Sequence, residues 1–188
     1  VKMLKEKARR SVIVFMLIGL VGSISPAYAK NEPSIAQYNS IEKSLDGVTN
    51  YKSKINNINK GLKEKKVKDI TCTITFNKTL DDDSLEEYIK SHKIKPIQIQ
   101  SRGIENNERI TGASIYHNNM KKQLKELMGE AAFLGFTDMY CKIDYDNIEQ
   151  IENDPLTFLV DTSLDDSVTN SKEFFPHSLT WLLEDLNA

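Results

Sequence analysis

Two short stretches that alternate strictly constrain this chain more than anything else in it. Residues 70–76 read ITCTITF, so Ile70, Cys72, Ile74 and Phe76 fall on one side and Thr71, Thr73 and Thr75 on the other. Residues 139–143 read MYCKI, with Met139, Cys141 and Ile143 opposed to Tyr140 and Lys142. A period of two marks a strand with one buried face, and the β-branched residues suit a pleated surface. Strands that are apolar on one side need another layer to cover that side.

Around them the period becomes helical. DDDSLEEYIKSHK (81–93) crowds acids into a first turn, where the helix dipole favours them. Asp81 or Asp82 caps it, and Leu85, Tyr88 and Ile89 form its buried face. KIKPIQIQSRG (93–103) alternates through Ile97 and Ile99, and Pro96 favours an edge position because it cannot donate to a ladder. A turn over Gly103–Asn107 leads to a strand in ERITGASIY. NNMKKQLKELMGEAAFLGF (118–136) reads as a helix with Met120, Leu124, Leu127, Met128 and Ala131 on one side, ended by Gly135. TDMYCKIDY follows as a strand. Asp146 or Asn147 then opens a short helix carrying Ile148 and Ile151. Asn153-Asp154-Pro155 stops it, because proline disfavours helical geometry in the residue before it. Leu156 to Val160 forms the last strand.

Apart from an inserted strand and helix, the order is β-α-β-β-α-β, the split pattern of a ferredoxin-like α+β domain. The expected architecture is one antiparallel sheet with helices on one face, spanning residues 67–163, with Ile70–Phe76 and Met139–Ile143 as its central neighbours. This order, and above all CKIDYDNIEQIENDPLTFLVD (141–161), resembles the propeptide-inhibitor domain of subtilisin-type proteases. In that family a strand enters a short helix, an acid-proline turn and a final strand ending in an acid. The matching positions here are Met139–Asp144, Asn147–Asn153, Asp154-Pro155 and Phe158–Asp161. The resemblance covers about Ile70–Asp161, with Gly103–Phe136 additional to the family pattern. It implies the fold and, for activity, a stand-alone protease inhibitor or folding assistant whose partner is a subtilisin-like protease.

The ends supply the address. Lys2, Lys5, Lys7, Arg9 and Arg10 precede an apolar run from Ser11 to Ile24, which leads into Ala27-Tyr28-Ala29. A basic region, a short apolar region and a small-x-small site read as a secretory signal peptide over residues 1–29, cleaved after Ala29. The run is short of the roughly 20 residues that span a bilayer. The expected location is therefore secreted or cell-wall associated. The lysine-rich leader and the Lys/Asn/Ile-rich remainder fit a low-GC Gram-positive bacterium. Residues 1–29 hold five Lys/Arg and one acid, so cleavage takes the net charge from −2 to −6. That balance points away from nucleic-acid or membrane partners, which favour a basic face.

Residues 30–66 form a helical arm whose stripe runs through Ile35, Tyr38, Ile41, Leu45, Val48, Tyr51, Ile55, Ile58 and Leu62. Gly47 and Asn50 weaken its middle. The stripe either packs on its own domain or projects as a docking arm. Residues 164–188 hold a linker and a helix with Phe174, Phe175, Leu179, Trp181, Leu182, Leu183 and Leu186. Phe174, Phe175 and Trp181 are candidate partner contacts if exposed. Folded back, the tail closes the open side of the sheet or packs with the arm.

Chemistry-bearing residues are sparse. Cys72 and Cys141 share the buried face of neighbouring strands and are candidates for a disulfide or for two buried thiols. His92, His117 and His177 make no metal-type spacing, and His92 and His117 are expected in solvent. Asp81-Asp82-Asp83 lacks the glycine and distal glutamate of a calcium loop. No phosphate loop, nucleophile elbow or acid-base-nucleophile set stands out, and no cofactor is implied. The expectation is a non-enzymatic protein that acts through a protein partner.

Overall fold

The two alternating stretches lie side by side. The computed structural model describes residues 13–14, 41–168 and 179–186. Within them the elements run β1 (Ile13–Val14), α1 (Leu45–Glu64), β2 (Ile70–Leu80), α2 (Asp82–Ser91), β3 (Lys95–Glu105), β4 (Glu108–Ile115), α3 (Met120–Met128), β5 (Ala132–Ile143), α4 (Ile148–Glu152), β6 (Thr157–Asp161) and α5 (Thr180–Leu186). β2 and β5 are antiparallel, with Ile70 opposite Ile143, Cys72 opposite Cys141 and Ile74 opposite Met139. The sheet continues as β4-β3-β5-β2-β6, every one of these pairs antiparallel. β1 adds a two-residue parallel pairing to β4 and belongs to the segment expected to be removed with the leader. Without β4 and α3, strand order β3-β5-β2-β6 in a β-α-β-β-α-β chain is the ferredoxin-like α+β fold.

The period-two pattern turns Ile70, Cys72, Ile74 and Phe76 of β2, Met139, Cys141 and Ile143 of β5, Ile99 of β3 and Val160 of β6 toward α2, α3 and α4. There they meet Leu85, Tyr88, Leu124, Ile148 and Ile151. Fully burying one such aliphatic side chain contributes roughly 1.5–3 kcal/mol. Asp81 is the cap of α2, its carboxylate accepting from Ser84 N at 2.9 Å. Asp82, one residue on, pairs with Lys121 of α3.

The arm is docked. α1 starts after Ser44, whose hydroxyl accepts from Gly47 N at 3.0 Å. Gly47 therefore sits in the first turn and does not break the helix. At ~1.5 Å per residue its 20 residues extend about 30 Å, along edge strand β6. Ile41, Val48 and Ile55 form a second apolar cluster with Leu159, Leu179 and Leu182. Covering an edge strand removes a template for unwanted pairing. Ile35, Tyr38 and Ala29 lie outside the described residues.

Four local expectations are corrected. The helix expected to run to Gly135 ends at Gly129, whose φ of +60° suits glycine, and Ala132–Phe136 belong to β5. Alanine and leucine favour helix and phenylalanine favours strand; pairing with Ser101–Ile104 of β3 overrides the helical preference. The turn is Asn106-Asn107 rather than Gly103–Asn107, both asparagines having positive φ, as a two-residue type I′ hairpin needs. The added segment accordingly shrinks from Gly103–Phe136 to residues 106–131. Lastly, β3 is an interior strand despite Pro96. The proline is tolerated because β4 begins to pair only at Gln98, leaving β3 open on that side at position 96.

Candidate functional site: the polar sheet face under the C-terminal helix

Residues directly opposite each other in a ladder point to the same face. The face turned away from α2, α3 and α4 therefore carries Thr73 and Thr75, Asp138 and Tyr140, Gln98, Gln100 and Arg102, Arg109 and Thr111, and Asp161. This face is polar, yet much of it is buried: Arg102 is 2 % exposed and Asp138 1 %. The cover is α5.

α5 docks through three kinds of contact. Thr180 Oγ1 donates to Asp138 Oδ2 at 2.8 Å. The Glu184 carboxylate is shared by two guanidinium groups, Arg102 Nε at 2.9 Å on one oxygen and Arg109 at 2.8 Å on the other. Arg109 also pairs with Asp185, and Arg102 with Thr111. The Trp181 ring lies over both arginines, with centroid distances of 4.1 Å and 4.4 Å to their central carbons. Trp181, Glu184 and Asp185 stand three and four apart, so one helix face presents the ring and both carboxylates. A buried ion pair gains little net stability, because desolvation offsets most of its attraction. Cation–π contacts add roughly 0.5–2 kcal/mol. The arrangement is geometrically selective rather than tight.

Beside it lies a phenol-carboxylate cluster. Tyr51 OH donates to Asp161 Oδ2 at 2.6 Å, and Asp165 accepts from Thr71 N at 2.6 Å. Burial, then the charge of Asp161, pushes the Tyr51 hydroxyl far above the usual tyrosine range. Burial does the same to Tyr88 on the opposite face. These phenols stay protonated near neutrality and so are not bases; Tyr51 is a donor, to Asp161. In the unfolded chain both ionise near pH 10, whereas the folded chain still holds both protons there. Their contribution is thus intact below about pH 10 and lost as pH rises further. The urea midpoint is expected to hold between about pH 7 and about pH 9 and fall steeply above about pH 10. Tyr51→Phe and Tyr88→Phe should each flatten that fall by about one proton; an unchanged slope in both variants would contradict their burial.

The sequence-derived candidates distribute unevenly. Trp181 is half-buried against its own sheet instead of standing free. Phe174, Phe175 and His177 lie outside the described residues. Cys72 and Cys141 face one another with sulfurs 3.5 Å apart, buried, hydrogen-bonded and not joined as a disulfide. The hydrogen bond to Cys141 and burial hold the Cys72 thiol well above its ordinary range, so Cys72 is not poised as a reactive thiolate. His92 is corrected: it is 3 % exposed, bonded through Nε2 to Asp154 Oδ2 at 2.8 Å and set edge-on to Tyr88. The signal was present, since 85, 88 and 92 share one helical face. His117 is half-buried, paired with Gln123 at 2.8 Å. Among the described residues, no group of three or more His, Cys, Asp or Glu is placed to hold a metal ion, and no helix is long and apolar enough to cross a membrane.

Arg102 and Arg109 were missed. The alternation of IQIQSRG put Arg102 on the Gln98/Gln100 side, but its partner Glu184 stands 82 residues on. No protein-family model, curated protein or solved structure matches this chain.

Proposed function

We propose that this is an exported protein that works by protein contact rather than catalysis, and that its contact surface is the polar sheet face occupied by α5. The observation that supports this reading is the Glu184 carboxylate held between Arg102 and Arg109 beneath the Trp181 ring. The two guanidinium groups on the sheet form a receptor for a helix bearing an aromatic residue with carboxylates one turn later. α5 fills it from within the chain, and a partner helix of the same chemistry would take its place. Export rests on the leader over residues 1–29. In this reading the protein resides in the medium or at the cell wall and needs no cofactor.

A synthetic peptide of Leu179–Leu186 tests the receptor directly. The intact chain should bind it weakly, because the resident helix competes. The Trp181→Ala chain should bind it about tenfold more tightly, as a larger fraction of its receptor stands open. A peptide carrying Glu184→Lys and Asp185→Lys should bind neither. Equal binding of the two peptides, or none to either chain, would sink the proposal.

The strand order and the strand–helix–Asp-Pro–strand ending favour a second reading, a stand-alone inhibitor or folding assistant resembling the subtilisin propeptide. There the protease would use the same sheet face, so α5 must first vacate it. Trp181→Ala should then inhibit a panel of subtilisin-like proteases better than the unaltered chain. No inhibition by either at micromolar concentration would dismiss this second reading.

A further inference from the structure

The two cysteines are the only ones in the chain, and the fold places them in one position of the ladder, Cys72 opposite Cys141 on the two central strands. Both side chains turn to the helix-covered face, with their sulfurs 3.5 Å apart. Directly opposed residues of an antiparallel pair have Cα atoms about 4.5–5.5 Å apart, inside the range of about 4.4–6.8 Å that a disulfide accepts. Bonding requires the sulfurs to close to about 2.05 Å, a movement that rotation of the two side chains and a slight drawing together of the strands supply. With no other cysteine present, no competing partner exists within the chain.

We propose that Cys72 and Cys141 form a structural disulfide bridging the central strands, made during folding in an oxidising compartment. The oxidant is a small or protein-bound disulfide. In the unfolded chain, where the thiols have ordinary acidity, one cysteine thiolate attacks a sulfur of that disulfide and expels one thiol. The second cysteine, deprotonated in turn, attacks the resulting mixed disulfide and expels the other. Two protein thiols and one external disulfide thus become one protein disulfide and two external thiols. Closing the core then seals the bond from reducing agents. The link encloses most of β2, α2, β3, β4, α3 and most of β5, a separation of 69 positions. Loops of that size give a cross-link a large effect on the unfolded chain.

Export supplies the oxidant in the cell, so the proposal rests on the export reading; refolding in vitro tests the bond independently of it. The full chain, reduced and unfolded, is refolded in a buffer of oxidised and reduced glutathione and then denatured with a maleimide present. The expected product is a monomer two hydrogens lighter that takes up no maleimide, with a thermal midpoint about 5–15 °C above that of the same chain refolded reduced. Two maleimides per chain, glutathione adducts, linked dimers, or a bonded monomer that melts below the reduced form would each overturn the proposal. Peptide binding to the Arg102–Arg109 face, measured on the reduced chain, is independent of this outcome, so a failed bond and a failed receptor are told apart.

Discussion

Replacing Gly135 with alanine is expected to remove about 3 kcal/mol or more of folding stability. Gly135 lies in β5 with φ +138°, a conformation that costs an L-residue about 1–3 kcal/mol. An added Cβ would sit 2.6 Å from the Leu80 carbonyl oxygen and 3.0 Å from Thr79 Cβ. The nearest obstacle is backbone, so the neighbouring strand must move, and overpacking of this kind costs about another 1–3 kcal/mol. The kink has a purpose in the sheet: between Thr75 and Leu80 the β2 ladder slips against β5, and β3 slips on the other side. The check is urea unfolding with Gly61→Ala as the companion. Gly61 is in α1 with nothing within 4 Å of its added Cβ, so that change should stabilise by about 0.5–1 kcal/mol. Opposite signs for one chemical change are the expected result. A loss below about 1 kcal/mol at position 135 would mean that the strained kink is absent.

The second large effect concerns the arm. Asn59 is fully buried and uses its whole amide. Nδ2 donates to Val160 O at 2.8 Å and to Glu152 Oε1 at 2.7 Å, while Oδ1 accepts from Thr162 Oγ1 at 2.5 Å. One side chain thereby ties α1 to β6, to α4 and to the residue after the last strand. Asn59→Leu keeps the bulk and strands a carbonyl and a hydroxyl without partners. Each orphaned group costs roughly 1–3 kcal/mol, so about 3 kcal/mol in all is expected. The loss should be local. Hydrogen exchange should quicken across 45–64 and 157–161 while β2 and β5 keep their protection. Uniform loss across the sheet would show that α1 is not a separable layer.

These results bear on how α5 is held. Its contacts are charged, aromatic and selective, and the apolar attachment of the helix comes from Leu179 and Leu182 in the cluster shared with α1. An arm loosened at Asn59 should therefore loosen α5 as well, through Val48 and Ile55. The polar face would then be exposed without a change to any of its own residues.

What the chain dictates alone is whatever depends on neighbours within a few positions. ITCTITF and MYCKI could only be strands, although Thr73 and Thr75 on the second face prove buried as well; Asp81 or Asp82 could cap only the helix after it, and Asp154-Pro155 could only end the one before it. Those local facts carried the ferredoxin-like order and the facing of Cys72 toward Cys141. Other segments were decided by what they met, sometimes against their local preference. Ala132–Phe136 became strand because β3 offered a ladder, and Pro96 entered an interior strand because β4 stops short of it. His92 shares the buried helical face of Leu85 and Tyr88, and Asp154, 62 residues away, receives it there. Of the candidate site, the sequence marked Trp181 and the side of β3 that holds Arg102, but the pairing belongs to this second kind. Trp181 and Glu184 share one helix face, but their pairing with Arg102 and Arg109 arises only when the sheet brings distant positions under that helix. Backbone preference and side-chain alternation act over a few residues, whereas charge pairing and burial act through space, across any separation in the chain.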